Sequence, residues 1–438
     1  MEKDTDKAGK SKKKEKPFPV KAKDEKALAS EKTDETKSVR KNAYEKKPSV
    51  KSAAKTTPAK PAESAKNPAD QAPSVSGDAA IKRPHYNGGP LYEYKPAENG
   101  GIALTAYLGD GTAVSVPEFI DGKPVTELEG TFRDLNFVEY VTVPYGVTDI
   151  GAYTFANCVA LKEVLLPPSL LYVGTEAFSY CLTLNSVTIP ENVFYIGDWA
   201  FLRCRYLRTV KLPVCLETFG AGVFAECSAL LAPVLPAKLT ALSDSLFSGC
   251  RSITEINIPE NVTSISDYAF YGCIALEKIG MPESIKNIGK RVFSGCKSLE
   301  WITIPRGVRE IKTETFWGCQ KLSSLTIPSN VKKIGDFAFS HCWSLSSVSI
   351  PYGVTSIGGF AFSHCKSLLT LLIPDSVTSI GAEAFWGCRP LRSVSIPDSV
   401  TDIGDYAFAG MRRFTIRCNP NSYAETYARE HKIHFERI

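Results

Sequence analysis

One spacing governs most of this sequence. Cysteine recurs every 23 residues from Cys158 to Cys388, in eleven copies. Phenylalanine stands three residues before each of these cysteines, and its register extends one step further in both directions, to Phe132 and Phe408. Thirteen copies in twelve equal steps, without an insertion, predict a solenoid in which each repeat is one coil stacked on the next.

The repeat that begins at Cys342 illustrates the requirements of one coil. Apolar residues alternate with serines around Val348, which indicates a short strand with one inward face. Pro351 follows that strand and ends it, because proline has no N–H to donate. Phe362 fills the centre of the coil. One coil cannot bury this core alone, so coils have to stack at the ~4.8 Å spacing of β-strands.

The phrase L-x-x-V-x-I-P-x-x-V-x-x-I-G-x-x-A-F-x-x-C resembles the BspA-like leucine-rich repeat family. Clear copies occupy residues 299–319, 322–342 and 368–388. The resemblance covers roughly residues 91–438 and implies a β-rich α/β repeat solenoid of about thirteen 23-residue coils. The family includes bacterial surface proteins that adhere to host proteins, so the resemblance also implies partner binding and a cell-surface or secreted location.

We divide the chain into four segments. Residues 1–84 are rich in Lys, Ala and Pro and contain too little apolar surface to fold, so we expect a disordered tail. Residues 85–131 are predicted to form an N-terminal strand cap and the entry to the first coil. Residues 132–411 carry the leucine-rich repeats. Residues 412–438 are predicted to form a C-terminal cap of one helix and one strand.

Local signals mark both ends of the array. The sequence DGKP at residues 121–124 lengthens the first coil and is predicted to be a loop. Ser422 and Glu425 have the spacing of a capping box, which predicts the start of a helix. A helix and a strand at this end would cover the open core and prevent end-to-end pairing.

Charge separates the tail from the repeats. Residues 1–84 contain 22 Lys and Arg against 13 Asp and Glu, a net charge of +9, while the whole chain carries +5. Residues 85–438 therefore carry a net charge of −4. The densest basic cluster, Lys12 to Lys14 with Lys16, makes the tail a candidate arm for a polyanion: nucleic acid, anionic lipid or cell-wall polymer. Nucleic acid is a candidate partner of the tail only. The alternative is that the tail is a solvated tether.

The sequence carries no clear membrane or export signal. It has no run of 18 apolar residues, so no membrane span is predicted. Its basic N-terminal stretch lacks an apolar core, so no secretory signal is predicted. Three interpretations of location stay open: an intracellular protein, export by another route, and a start site that misses a signal.

The repeated cysteines are predicted to be buried thiols. Cysteines in neighbouring coils would lie ~4.8 Å apart, beyond the ~3.8 Å between the Cβ atoms of a disulfide. Cys215 and Cys418 lie outside this register, and the sequence assigns them no role. His341 and His364 share one repeat position, so they would be neighbours in the stack. The alternative to two unliganded histidines is that they bind a metal ion together. We predict no catalytic residue, no metal site and no cofactor.

Aromatic residues at coil edges and on the outward side of a strand are candidates for partner binding. Such side chains bury a large area at low entropic cost. The candidates are Trp301, Trp317, Trp386, Tyr268, Tyr271, Phe337, Phe360 and Tyr406. The alternative is that they cover the edges of neighbouring coils.

The function predicted from the sequence is binding without catalysis. We expect a protein or glycan ligand, in adhesion or another host or partner interaction. The alternative is an intracellular scaffold whose basic tail tethers it to nucleic acid or an anionic surface. Tail-dependent, salt-sensitive binding would distinguish the scaffold from a protein that binds through residues 85–438 alone.

Overall fold

The computed structural model describes residues 89–438, which form one stack of coils. Most coils contribute a three-residue strand to a first row of strands and a two-residue strand to a second row. The core lies between the two rows. The tail predicted over residues 1–84, with its lysine cluster, lies outside the described residues.

Five strands build the N-terminal end: β1 (Tyr92–Pro96), β2 (Ile102–Tyr107), β3 (Ala113–Ser115), β4 (Phe119–Ile120) and β5 (Lys123–Leu128). Strands β1 and β2 pair antiparallel, and β2 continues in parallel pairing with β5. The loop predicted at residues 121–124 is a tight hairpin turn between β4 and β5. Asp121 and Gly122 have φ values of 50° and 75°, the left-handed conformation that a two-residue hairpin of this sequence adopts.

The array itself repeats these two rows in parallel. Ser347 lies opposite Thr370, for example, one repeat of 23 residues further along the chain. The sequence predicted the first row but not the two-residue strands after each proline. In chain order the strands are β6 (Tyr140–Thr142), β7 (Asp149–Ile150), β8 (Glu163–Leu165), β9 (Tyr172–Val173), β10 (Ser186–Thr188), β11 (Tyr195–Ile196), β12 (Thr209–Lys211), β13 (Thr218–Phe219), β14 (Ala241–Leu242), β15 (Glu255–Asn257), β16 (Ser264–Ile265), β17 (Lys278–Gly280), β18 (Asn287–Ile288), β19 (Trp301–Thr303), β20 (Glu310–Ile311), β21 (Ser324–Thr326), β22 (Lys333–Ile334), β23 (Ser347–Ser349), β24 (Ser356–Ile357), β25 (Thr370–Leu372), β26 (Ser379–Ile380), β27 (Ser393–Ser395) and β28 (Asp402–Ile403).

The C-terminal end consists of β29 (Thr415–Cys418), helix α1 (Tyr423–Glu430) and β30 (His434–Arg437). As predicted, Ser422 begins the helix: its hydroxyl accepts a hydrogen bond from the Glu425 N–H at 3.2 Å. Strands β29 and β30 pair in parallel, so the stack reaches about 15 coils. No helix in residues 89–438 combines the length and apolar character needed to cross a membrane.

A stack of phenylalanine rings occupies the core. The rings from Phe132 to Phe385 are fully buried, and each lies against the ring of the next coil. The ring centroid of Phe293 lies 5.7 Å from that of Phe270 and 5.4 Å from that of Phe316, and the ring planes are nearly parallel. The repeat register of the sequence thus becomes a continuous column of aromatic contacts.

The cysteines form a second buried column, as predicted. Each thiol from Cys158 to Cys388 is buried and donates to the carbonyl of a phenylalanine 26 residues earlier; Cys273 Sγ, for example, lies 3.1 Å from Phe247 O. Burial raises the pKa of Cys273 to about 12. Cys215 is half-buried and donates to the carbonyl of Glu191 at 2.8 Å, so it ties two neighbouring turns together.

Iodoacetamide treatment of the native protein is expected to modify Cys215 alone. The other twelve of the thirteen cysteines are buried, so the reagent cannot reach their thiols in the folded protein. Mass spectrometry of the intact protein should show at most one adduct before denaturation and thirteen afterwards. Rapid labelling of several ladder cysteines in the folded protein would contradict the buried column.

Candidate binding surface

The outward side of the first row of strands is mostly small and polar. Serine and threonine occupy both outward positions of β21 and of β23, and threonine occupies the first position of β25. Trp301, at the start of β19, is one of the few large apolar side chains on this face, with 47% of its surface exposed; Tyr140, Leu165 and Leu372 are others. This face places one candidate aromatic residue among hydroxyl groups.

Several edge candidates contact neighbouring coils. The rings of Phe337 and Phe360 stack at 4.6 Å, and both are half-buried. The guanidinium of Arg291 lies 5.6 Å from the ring of Tyr268, which also meets the ring of Tyr271 at 5.8 Å. Contacts of this kind fit residues that cover coil edges. Tyr406, by contrast, is strongly exposed on the last regular coil.

Two other candidates belong to a continuous row of rings, which we call the aromatic row. Trp317 meets His341 at a centroid distance of 5.6 Å, and His341 meets His364 at 4.7 Å. His364 then packs edge to face against Trp386 at 4.5 Å. The structure therefore brings the two histidines together with Trp317 and Trp386, although the sequence pointed to them separately.

A cleft of about 520 Å³ opens beside the aromatic row. Sites for small ligands span ~300–1,000 Å³, so this cleft has the size of a ligand site. The ammonium group of Lys366 lies 4.0 Å from the ring centroid of Trp343, a cation–π contact that holds both at the cleft. The side chains that line the cleft are His341, Trp343, His364, Lys366, Trp386 and Arg389.

Three of these lining residues were missed by the sequence analysis. Trp343, Lys366 and Arg389 each directly follow a cysteine of the ladder. They are therefore one repeat position in three consecutive coils, and stacking places them side by side. Reading that position down the repeats would have identified them as a cluster.

The cleft is electropositive. None of its lining residues is acidic, and among the described residues neither Lys366 nor Arg389 forms a salt bridge. Burial lowers the pKa of His341 below its usual 6.5, and His364 and Lys366 lower it further. Burial, Lys366 and Arg389 likewise lower the pKa of His364, against a smaller opposing effect of Glu383. Near neutral pH the charge of the cleft therefore comes from its lysine and arginine.

Both histidines adopt a backbone conformation that suits glycine. His341 and His364 have φ values of 61° and 58°. The other six coils from Cys250 onward have glycine at this position, as in Gly387 and Gly410. A side chain in this conformation costs about 1 kcal/mol or more. Asn157, Tyr180, Arg203 and Glu226 adopt the same conformation at this position in the earlier coils, so the repeat accommodates side chains here and the strain alone does not mark a functional site.

Within the described residues, the surroundings of His341 contain no accessible serine or cysteine nucleophile. Ser340 Oγ lies 2.8 Å from His341 Nδ1, but the serine is fully buried and also contacts Ser363 Oγ at 2.8 Å. The adjacent Cys342 is buried, with its thiol donated to a backbone carbonyl. A substrate could reach neither group. Residues 89–438 contain no group of three or more His, Cys, Asp and Glu placed to hold a metal ion.

A known family matches most of the array. The profile of the BspA type Leucine rich repeat region matches in six copies, over residues 129–253, 217–345 and 286–415. These matches together span well over half of the chain. No curated protein matches the sequence.

Solved structures of leucine-rich repeat proteins resemble this stack. A leucine rich cell surface protein from Faecalibacterium prausnitzii A2-165 is 25% identical, aligns over 79% of this chain and 98% of its own, and gives a TM-score of 0.51. A leucine-rich repeat protein from Bacteroides ovatus is 26% identical over 81% of this chain and all of its own, with a TM-score of 0.49. The T. pallidum leucine rich repeat protein is 30% identical over 48% of this chain and 88% of its own, with a TM-score of 0.39.

Proposed function

We propose that this chain, which belongs to the BspA type leucine-rich repeat family, is a non-enzymatic binding protein. Its ligand would occupy the cleft beside the aromatic row. The observation that carries the proposal is the convergence of two tryptophans, two histidines and two unpaired cations on one concave site of about 520 Å³. Aromatic and cationic side chains of this kind dominate the energy of many interfaces.

Binding fits this cleft better than catalysis does. The serine and cysteine nearest to the histidines are buried, so no nucleophile faces a ligand. The lining side chains lie on stacked coils whose cores are packed against each other, which fixes their positions before a ligand arrives. Such preorganisation reduces the entropic cost of binding.

We further propose that the ligand is an extracellular protein or glycan and that binding serves adhesion or partner contact. The support is the relationship to the Faecalibacterium prausnitzii protein, which is a cell surface protein. The side chains that would hold such a ligand are Trp386, Lys366 and Arg389, because they line the cleft from consecutive coils. Trp317 would extend the contact along the aromatic row.

The proposal can be tested on printed glycans and a panel of extracellular proteins, with the full chain as the probe. We expect a ligand whose binding Trp386→Ala weakens by about tenfold, the typical effect of losing an interfacial tryptophan. Tyr352→Ala is the matched control, since Tyr352 is 75% exposed and lies outside the cleft. Ligands that bind the tryptophan variant as tightly as the native protein would contradict a role for the cleft.

A further inference from the structure

We propose that the cleft binds an anionic sugar, meaning a sugar that carries a carboxylate or a sulfate group. The sugar ring would lie against Trp386, and its acidic group would lie between Lys366 and Arg389. This inference rests on the proposed function and specifies its ligand. It follows from the charge, the lining and the dimensions of the cleft.

The charge of the cleft selects an anion. Lys366 and Arg389 line it from adjacent coils, and neither forms a salt bridge within residues 89–438. The array as a whole carries a net charge of −4 over residues 85–438, so this positive site is a local exception. A small anion would be attracted to the cleft, whereas a long polyanion such as nucleic acid would be repelled by the surrounding surface.

The aromatic lining selects a ring-shaped ligand with polar edges. Trp386 is 36% exposed and offers an apolar indole surface, on which the C–H face of a sugar ring can pack. Trp343 supports the cleft without meeting the ligand through its donor: its indole Nε1 is buried, and its ring packs against the Lys366 ammonium group at 4.0 Å.

The spacing of the coils fits a short saccharide. The lining residues come from consecutive coils that are ~4.8 Å apart, which is close to the length of one sugar ring. A volume of about 520 Å³ accommodates one or two rings. An acidic peptide could meet the same cations, but it would not need the flat indole surface of Trp386.

The histidines make this binding dependent on pH. His341 and His364 are neutral near pH 7, because burial and Lys366 lower both pKa values. His364 lowers the pKa of His341 further, and Arg389 lowers that of His364. The carboxylate of Glu383 acts in the opposite direction on His364. A bound anion favours the protonated imidazoles, so the affinity should rise several-fold between about pH 7.5 and about pH 5.

Calorimetric titration of the full chain with three saccharides tests the inference. The probes are 3′-sialyllactose, lactose 3′-sulfate and neutral lactose. We expect at least one acidic probe to bind about tenfold or more tightly than lactose. The preferred probe identifies the acidic group as a carboxylate or a sulfate. Arg389→Ala should weaken that binding by about tenfold, and Trp386→Ala by a similar factor.

Two control variants keep the test decisive. Arg251→Ala removes an exposed arginine from the same repeat position in a distant coil and should leave affinity unchanged. The double variant His341→Gly and His364→Gly restores the residue of the neighbouring coils, so it should fold normally while losing the pH dependence.

Three results would overturn the inference: equal binding of lactose and the acidic sugars, binding that survives Arg389→Ala, and affinity that falls at low pH. Cleft-dependent binding of an acidic peptide, without binding of either acidic sugar, would also overturn it. In that case the proposed function would still stand. If no ligand binds in a way that depends on the cleft residues, both the proposed function and this inference are wrong.

Discussion

Phe293→Ala is expected to lower the free energy of unfolding by about 3–5 kcal/mol, the usual cost of removing a buried phenylalanine. The ring is fully buried and stacked between Phe270 and Phe316. Alanine would leave a cavity at the centre of one coil, and two neighbouring rings would each lose a contact. The coils above and below cannot collapse into the space, because their spacing is fixed by the parallel strand pairing.

The consequence should extend beyond stability, because a solenoid is held together by contacts between neighbours. A weak interface in the middle of the stack divides it, so denaturant unfolding should broaden or separate into two transitions. Circular dichroism during urea titration measures both effects. Tyr352→Ala serves as the control, since this exposed ring contributes little to the core. A loss of less than about 1 kcal/mol for Phe293→Ala would contradict the role of the phenylalanine column.

Glu425→Gln is expected to loosen the C-terminal end of the stack. The Glu425 carboxylate accepts hydrogen bonds from Arg437 at 2.7 Å, Arg429 at 2.6 Å and the Asn421 N–H at 2.8 Å. It therefore joins β30, helix α1 and the turn before the helix. Glutamine removes the charge that both arginines share. Hydrogen exchange should show that the amides of β30 lose most of their protection, while those of the central coils keep theirs.

The pH dependence of this effect has a defined direction. The hydrogen bonds from Arg437, Arg429 and Asn421 lower the pKa of Glu425 from 4.5 to about 2. The carboxylate therefore stabilises the folded end fully above about pH 4.5, and this contribution is lost as the pH falls towards 2. The difference in β30 protection between native protein and variant should shrink over that interval. Glu430→Gln, at an exposed position of the same helix, is the control. A difference that stays constant down to pH 2 would contradict the charge network.

Much of the fold can be predicted from the sequence alone. A fixed step of 23 residues places Phe293 and Cys296 in line with their counterparts in every neighbouring coil. Identical steps allow only one regular stacking, so the buried columns follow without knowledge of distant contacts. The start of the C-terminal helix at Ser422 was also predictable, because a capping box is a local signal.

The second row of strands and the N-terminal turn needed the structure. Two-residue strands such as β24 carry too short a pattern to be recognised, and they exist because the next coil supplies their hydrogen-bond partners. The sequence DGKP at residues 121–124 predicted a loop, but Lys123 and Pro124 belong to strand β5. Pairing of β4 with β5 turned it into a tight hairpin.

The candidate site, too, was predictable from the sequence in part only. The sequence by itself determined the stack, its buried columns and the periodic positions that aromatic residues occupy, because each depends on spacing along one chain. Only the tertiary structure decided that Trp386 and His364 enclose one cleft with Trp343, Lys366 and Arg389. Trp386 lies two residues before a ladder cysteine, His364 one before, and the other three one after. These three repeat positions become neighbours because the coil folds them to one edge and consecutive coils lie one strand spacing apart.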